Sequence, residues 1–117
     1  MKPWRLKSYD IPYIIQAGEI LKKKPCQQIT NTALALEVGI NAIKLQLGFK
    51  QLFKQTIHQY TTDLRLNLAQ ELLEETDLTL AEVAYKCGFN SRDVFTRSFR
   101  KRYNQPPREW RKIESNF

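Results

Sequence analysis

Apolar residues recur every three or four positions along most of this 117-residue chain, which is the spacing of amphipathic helices. No stretch alternates apolar and polar residues as a half-buried strand does, and there are only four glycines and five prolines. The pattern therefore predicts an all-α protein of about seven helices joined by short turns. In chain order, these helices cover about residues 12–22, 30–38, 41–53, 58–75, 80–87, 91–103 and 106–110.

The same periodicity predicts which side chains face the core. Pro12 suits a first helical turn, and Thr79 with Glu82 forms a capping box in which the Thr79 hydroxyl accepts from the Glu82 amide. The predicted inward residues are Ile14, Ile15, Gly18, Leu21, Ala33, Leu34, Val38, Leu45, Gly48, Phe49, Leu52, Phe53, Tyr60, Leu64, Leu68, Leu72, Leu73, Val94, Phe95, Phe99 and Tyr103.

A short motif occurs twice, once on each side of the long helix predicted at residues 58–75. Residues 35–41 (ALEVGIN) align with residues 84–90 (AYKCGFN), 49 positions later, and a Leu or a Val precedes each Ala. A phenylalanine follows in the next helix of each copy, Phe49 and Phe99. The second copy has one more residue between its glycine and that phenylalanine.

Each copy has the pattern apolar-Ala-x-x-x-Gly-apolar, followed by an amphipathic helix. The alanine is small enough for two helices to cross closely, and the glycine supplies the positive φ that a sharp exit from a helix needs. This arrangement is typical of a helix-turn-helix, whose second helix can enter the major groove of DNA. Two copies around a long helix are far more specific than one copy would be.

The net charge of +7 is concentrated in one part of the sequence. Residues 86–112 contain nine basic and two acidic side chains, whereas the rest of the chain has ten of each. A localised basic stripe indicates a polyanionic partner, either nucleic acid or a membrane surface. The excess positive charge of the chain therefore lies in the second copy of the motif and the residues that follow it.

Other kinds of chemistry have little support. No apolar run approaches the roughly 20 residues of a membrane-spanning helix, and the start of the chain is not a signal peptide. Cys26 and Cys87 are far apart, and His58, the only histidine, has no cysteine or carboxylate at ligand spacing. No nucleophile–base pair or phosphate-binding loop is present. We therefore expect no enzyme activity, no cofactor and no metal site.

Several stretches resemble the C-terminal DNA-binding domain of the AraC/XylS transcription regulators, and together they cover about residues 13–112. In the second copy they are Val83-Ala84-x-x-x-Gly88-Phe89, Phe95-x-Arg97-x-Phe99-Arg100-Lys101 and Pro107-x-x-Trp110-Arg111. In the first copy and the long helix they are Leu34-Ala35-x-x-x-Gly39, Leu45-x-x-Gly48-Phe49-Lys50-x-Leu52-Phe53 and Tyr60-x-x-x-Leu64-Arg65-Leu66-x-x-Ala69-x-x-Leu72-Leu73. The form of residues 45–53 resembles the iron/siderophore-regulator branch of the family.

The resemblance implies two homeodomain-like helix-turn-helix subdomains, residues 12–57 and 76–117, joined by a linker helix at residues 58–75. Residues 1–11 lack periodicity and are interpreted as a linker or tail. The implied function is sequence-specific binding to double-stranded promoter DNA by a bacterial transcription regulator, with two recognition helices in successive major grooves. RNA polymerase and an effector-binding or dimerisation domain outside this chain are implied partners, and the implied location is the cytoplasm, at the nucleoid.

Four positions depart from the family pattern. Asn104 and Lys54 stand where glycine is usual or common, Trp110 replaces a usual Tyr, and Asp93 replaces a usual Ser. Asn tolerates the left-handed conformation, so Asn104 is compatible with the fold. None of the four substitutions removes a residue on which the motif depends.

The resemblance places base-reading positions near the start of the second recognition helix. In the second copy they are Arg92, Asp93, Thr96 and Arg97. Arg97 is the leading candidate, because a guanidinium can pair with two acceptors on a guanine edge. Asp93 either accepts from a cytosine amine or forms an ion pair with one of the neighbouring arginines.

The first recognition helix has fewer polar candidates: Ala42, Ile43, Gln46 and Leu47. Gln46 suits adenine, and Ile43 or Ala42 suits a thymine methyl group. Leu47 stands where related domains often carry a polar or basic side chain. Either this half reads less sequence, or Ile43 and Leu47 make an apolar contact, and we predict that the second copy dominates binding. The predicted phosphate contacts, which position the domain without specifying sequence, are Lys44, Lys50, Arg100, Lys101, Arg102, Arg108 and Arg111.

Two other functions fit parts of the sequence. A membrane-surface module would have to expose the apolar side of the basic helix, yet Phe95 and Phe99 are needed in the core. A protein-interaction domain that has lost DNA binding is the stronger alternative, and Ile43 and Leu47 would be its best support.

Overall fold

The computed structural model describes residues 4–115, with side chains as far as Arg111. Within this range no strand occurs, and the all-α, seven-helix prediction is confirmed. A 3₁₀ turn at Ser8–Asp10 precedes the helices. The seven helices are α1 (Ile11–Lys23), α2 (Asn31–Val38), α3 (Ala42–Phe53), α4 (Ile57–Glu75), α5 (Leu80–Lys86), α6 (Arg92–Tyr103) and α7 (Pro107–Ser115).

The chain divides into two compact units with the boundary between Thr61 and Thr62. The first unit contains α1, α2, α3 and the start of α4, and the second contains the rest of α4 with α5, α6 and α7. The long helix predicted as a linker is therefore part of the fold of both units.

Equivalent helices of the two units begin and end in the same way. Thr30 Oγ1 accepts from the amide of Ala33 at 3.0 Å at the start of α2, and Thr79 Oγ1 accepts from the amide of Glu82 at 3.1 Å at the start of α5. Each hydroxyl satisfies an amide that has no partner within the helix. Gly39 and Gly88 follow these helices with φ of 85° and 89°, which confirms the turn glycines.

Recognition-type helices α3 and α6 also have matching ends. The side chains of Asn41 and Ser91 cap their N-termini, and Lys54 and Asn104 follow their C-termini in the left-handed region, with φ of 62° and 63°. Asn104 thus adopts the conformation that its family position requires. Equivalent residues of α3 and α6 are 50 positions apart, whereas those of α2 and α5 are 49 apart, because the second unit has one extra residue in its turn.

An aromatic cluster closes each unit. In the first unit, the ring centroids of Phe49 and Phe53 are 4.3 Å apart, and each lies 5.2 Å from the ring of Tyr60 on α4. In the second unit, Phe99 and Tyr103 are 4.5 Å apart, and Trp110 of α7 lies 5.9 Å and 5.3 Å from them. The first turn of α4 therefore packs an aromatic ring against α3 in the first unit, as α7 does against α6 in the second. The identical aromatic spacing in the sequence could have revealed this extension of the repeat.

The rest of α4 is equivalent to α1. Ile14, Ala17 and Leu21 are buried on α1, and Leu66, Ala69 and Leu73 are buried on α4 with the same spacing, 52 positions later. The larger offset arises because the connection after α1 (residues 24–30) is three residues longer than the one after α4 (residues 76–79).

Several residues that were expected to face the core are half-buried or exposed. Leu64, Leu68 and Leu72 of α4 are only half-buried, as is Val94 of α6, whereas Leu66 and Ala69 occupy the buried stripe. Ile15, Ala33 and Leu52 are exposed. The apolar periodicity located each helix correctly but not the rotation of its buried stripe, which also includes the small residues Ala17, Ala35 and Ala69.

Residues 4–10, here called the N-terminal segment, lie against α3, although residues 1–11 were interpreted as a linker or tail. The Gln51 side chain donates to the carbonyl of Trp4 at 2.6 Å and accepts from the amide of Leu6 at 2.8 Å. A Cβ added at Gly48 would lie 2.9 Å from Leu6, so glycine allows this close approach. Residues 1–3 lie outside the described range.

Candidate nucleic-acid interface

Recognition-type helices α3 and α6 present equivalent faces to solvent. Residues at i, i+3, i+4 and i+7 lie on one side of a helix. On α3 these residues are Ile43, Gln46, Leu47 and Lys50, which we call the α3 outer face. Their equivalents on α6 are Asp93, Thr96, Arg97 and Arg100, which we call the α6 outer face. Thr96 is half-buried and the other seven side chains are exposed.

Charged side chains dominate the start of α6. Arg92, Asp93 and Arg97 are exposed, as the sequence predicted for base-reading residues. None of the three forms an ion pair with a side chain that the structure describes. The alternative in which Asp93 pairs with Arg92 or Arg97 is therefore absent from this conformation, and the guanidinium groups are available to an external partner.

A surface hollow of 390 Å³ brings together residues from α6 and the start of α7. Arg92, Thr96 and Arg108 all line it, although Arg108 lies 12 to 16 residues after the other two in the sequence. Glu109 also lines the hollow and brings a negative charge to it. The fold thus unites two predicted base-reading residues with one predicted phosphate contact.

The residues of α6 and α7 that are predicted to contact phosphates differ in whether they already have an ion-pair partner in the protein. Arg100, Lys101 and Arg108 are exposed and form no ion pair among the described side chains. Arg102 instead lies 3.8 Å from Asp63 of α4, and its guanidinium lies 5.2 Å from the ring centre of Tyr103. An exposed pair of this kind contributes little free energy, so Arg102 can still exchange Asp63 for a phosphate.

Arg111 has a different role from the predicted phosphate contact. Its guanidinium donates to the backbone carbonyls of Leu73 at 3.2 Å and Thr76 at 3.3 Å, and also to that of Leu78. These carbonyls lie at the end of α4 and in the following turn, where the helix leaves its last acceptors without partners. The Arg111 guanidinium therefore caps the end of a helix and is engaged within the protein, so it is not available to a phosphate in this conformation.

The N-terminal segment forms an ion pair or hydrogen bonds with two polar side chains of α3 that do not belong to the outer face, Lys44 and Gln51. Lys44, predicted to contact phosphate, has its ammonium 3.8 Å from the carboxylate of Asp10 and 5.9 Å from the ring centre of Tyr9. The Asp10 side chain is only 7% exposed, so this partner is held in place. Gln51 is bonded to the backbone of the same segment. Lys50, the other lysine of α3, is exposed and forms no ion pair among the described side chains, and Ala42 is half-buried at the start of the helix.

Tyr103 links α6 to α4 in the second unit. Its hydroxyl donates to Asn67 Oδ1 at 3.2 Å, with Gln70 Oε1 at 3.3 Å. Burial raises the pKa of the Tyr103 phenol, the nearby Arg102 lowers it, and the Asp63 and Glu74 carboxylates raise it further, so that the net direction is upward. The phenol therefore stays protonated as a donor and holds α6 against α4.

The part of the chain that the structure describes shows no sign of two other kinds of site. No group of three or more His, Cys, Asp or Glu side chains there could hold a metal ion. No helix in the same part of the chain is both long enough and apolar enough to cross a membrane.

The two units, each with a capped helix, a glycine turn and a second helix with an exposed outer face, define a double helix-turn-helix domain. A family model described as a helix-turn-helix domain matches residues 34–113. The xylose operon regulatory protein of Escherichia coli (strain K12) is 31% identical over 109 residues, which are 93% of this chain and 28% of that protein.

Solved structures agree with this assignment. An AraC-type transcriptional regulator from Chromobacterium violaceum has a TM-score of 0.81 at 27% identity, covering 92% of this chain and 96% of that one. The xylose-binding transcription activator XylR has a TM-score of 0.74 at 31% identity, covering 87% of this chain and 27% of that one.

The chain belongs to the AraC-type helix-turn-helix family, and it matches the C-terminal DNA-binding domain of the AraC/XylS regulators. The family and fold are those of transcription regulators and not of enzymes. The chain spans less than a third of the length of the xylose operon regulator that it matches. Its resemblance to the iron/siderophore-regulator branch stays a prediction.

Proposed function

We propose that this chain binds double-stranded promoter DNA in a sequence-specific manner and thereby regulates transcription. Each unit contributes its own recognition helix, α3 in the first and α6 in the second. The observation that carries the proposal is the α6 outer face, on which Arg97 and Arg100 are exposed and have no ion-pair partner among the described side chains. An exposed guanidinium at this position of a helix-turn-helix can pair with a guanine in the major groove.

Base readout and phosphate contact are proposed to fall to different residues of the second unit. Arg92, Asp93, Thr96 and Arg97 lie at the start of α6 and are proposed to read base edges. Further along α6 and on α7, the exposed cations are proposed to contact phosphates and to set the register of the helix on the duplex. The proposed phosphate contacts of the second unit are Arg100, Lys101, Arg102 and Arg108.

Duplex binding measured by fluorescence anisotropy at several salt concentrations tests this function. Duplexes enriched from a random-sequence pool supply the specific site, and a shuffled duplex supplies the reference. A DNA-binding domain loses affinity linearly in log[salt], with a slope of about −0.9 for each phosphate contact. Lack of binding to any duplex at low salt would contradict the proposal.

A charge-matched pair of variants separates contact from general attraction. Lys101→Ala removes an exposed cation of α6, and we expect it to reduce the slope by about 1. Lys23→Ala removes an exposed cation from the last turn of α1, where no contact is proposed, and should leave the slope unchanged. Equal slopes for both variants would place the phosphate contacts elsewhere.

Partners beyond DNA are also proposals. The matched relatives are about three times longer than this chain, so we propose that an effector-binding or dimerisation domain outside the chain controls it. RNA polymerase is the proposed partner at the promoter, and the cytoplasm, at the nucleoid, is the proposed location. In vitro transcription from a promoter carrying the selected site, with and without the protein, tests the link to the polymerase.

A protein-interaction domain without DNA specificity is the second candidate. Its support is the exposure of Ile43 (67%) and Leu47 (42%) on the α3 outer face. This candidate predicts no difference between selected and shuffled duplexes at any salt concentration.

A further inference from the structure

Hydrogen-bonding groups are scarce on the α3 outer face. Ile43 is 67% exposed and Leu47 is 42% exposed, and they flank Gln46 on the same side of the helix. On α6 the residues equivalent to Ile43 and Leu47 are Asp93 and Arg97, which both carry charges. The two recognition helices thus share a backbone pattern but present opposite chemistry.

The N-terminal segment accentuates this difference. It engages Lys44 through Asp10 and Gln51 through backbone groups, and these are two of the polar side chains of α3. Gln46 and Lys50 are then the polar side chains left on the α3 outer face, and Lys50 lies one turn beyond Leu47. Base readout by α3 therefore depends on one amide and two apolar side chains.

We infer that α3 recognises a thymine-containing half-site through contacts of Ile43 and Leu47 with thymine methyl groups. This inference rests on the proposed DNA-binding function and specifies its substrate. The C5 methyl of thymine is the large apolar feature of the major groove. A side chain without hydrogen-bond donors or acceptors can therefore distinguish thymine from the other bases only by contacting this methyl group. Gln46, on the same outer face, reads the paired adenine, whose N6 and N7 suit an amide.

Burial drives the contact. Both apolar side chains are exposed to water in the free protein, so covering them with methyl groups removes apolar surface from water on both partners. No buried polar group is left without a partner in the process, because neither side chain carries one. A lysine on the same face, Lys50, supplies a cation for the adjacent phosphate, which favours DNA over an apolar protein surface as the occupant.

Replacement of thymine by deoxyuridine tests the inference, because it removes the methyl and leaves every hydrogen-bonding group in place. Each thymine of the selected duplex is replaced in turn, and affinity is measured by fluorescence anisotropy with the full chain. We expect at least one replacement to weaken binding about fourfold, the effect of losing one buried methyl. Ile43→Ala or Leu47→Ala should abolish that sensitivity at one position each.

Leu36→Ala is the matched control. Leu36 is 79% exposed on α2 and is not part of either outer face, so its truncation should keep both the affinity and the deoxyuridine sensitivity. Ile43 and Leu47 lie outside the core, so their truncation should leave the fold intact, which circular dichroism checks.

The outcomes separate this inference from the function on which it rests. Deoxyuridine sensitivity that disappears in Ile43→Ala or Leu47→Ala supports the inference. Specific binding without any deoxyuridine sensitivity, or a sensitivity that persists in both variants, overturns the inference and leaves the proposed function intact. Absence of duplex binding at low salt overturns both.

Discussion

Leu47 on α3 and Arg97 on α6 occupy the same position of the repeated unit, each five residues after the first residue of its helix. Both side chains are exposed. One duplicated framework therefore presents an apolar side chain in the first unit and a guanidinium in the second. This difference predicts that the two halves of the domain contribute unequally to DNA recognition.

Arg97→Ala is expected to weaken binding to the selected duplex by about 1–3 kcal/mol, or about 5- to 150-fold, and to relax specificity at one base pair. Gln46→Ala should weaken binding by a smaller factor, because the hydrogen bonds of a neutral amide to a base are not charge-assisted as those of a guanidinium are. Anisotropy with a set of single-base variants of the duplex measures both effects. Equal large losses for the two variants would refute the unequal contribution.

Arg111 and Arg108 form a second pair, three positions apart in the sequence but different in role. Arg111→Ala leaves the carbonyls of Leu73, Thr76 and Leu78 without their donor, and we expect the free energy of unfolding to fall by about 2 kcal/mol. Urea denaturation measures this loss. Arg111→Lys should recover only part of it, because an ammonium lacks the planar fork of a guanidinium.

Arg108→Ala is the control for this pair. Its side chain is exposed, so we expect the free energy of unfolding to change by less than about 0.5 kcal/mol. The slope of duplex affinity against log[salt] should instead decrease by about 1. A stability loss in Arg108→Ala as large as that in Arg111→Ala would mean that the two roles have been assigned wrongly.

The left-handed residue Lys54 offers a stabilising substitution. A non-glycine side chain at φ of 62° costs about 1 kcal/mol, and this position follows the C-terminus of α3. Lys54→Gly should therefore raise the free energy of unfolding by about 0.5–1 kcal/mol. Gly39→Ala places a Cβ at φ of 85° and should lower it by about 1 kcal/mol or more. Thermal denaturation of both variants shows whether each substitution raises or lowers the stability. A loss of stability in Lys54→Gly would contradict the inference that the left-handed conformation of Lys54 is strained.

Tyr103 predicts a pH dependence of stability. Because its pKa is raised in the folded state, folding favours the protonated phenol. Its contribution is therefore fully present below the ordinary pKa of about 10 and is lost as the pH rises above that value. Urea unfolding between pH 7 and 11 should show a stability difference between the wild type and Tyr103→Phe that is constant up to about pH 9 and narrows above pH 10.

Tyr85→Phe is the matched control for this titration. The Tyr85 side chain is 84% exposed, so its substitution should reproduce the wild-type curve of unfolding free energy against pH. A difference between wild type and Tyr103→Phe that stays constant through pH 11 would show that the phenol does not contribute through its protonation.

Most of the helices could be predicted from the sequence, because each depends on local chemistry. The helix at Leu80–Lys86 follows from Thr79 and the turn glycine Gly88, and the boundaries of α6 were predicted within a residue. The charge of residues 86–112 and the position of Arg97 on an exposed face follow from composition and spacing alone. These features need only neighbouring residues, so a single sequence contains them.

Roles that depend on distant residues required the fold. Arg111 resembles any other arginine of the basic stretch, and only its proximity to carbonyls 33 to 38 residues earlier distinguishes it from a phosphate contact. The engagement of Lys44 by Asp10 and of Gln51 by the N-terminal segment is likewise long-range. Local periodicity locates helices and their exposed charges, whereas packing determines which of those charges remain available to DNA.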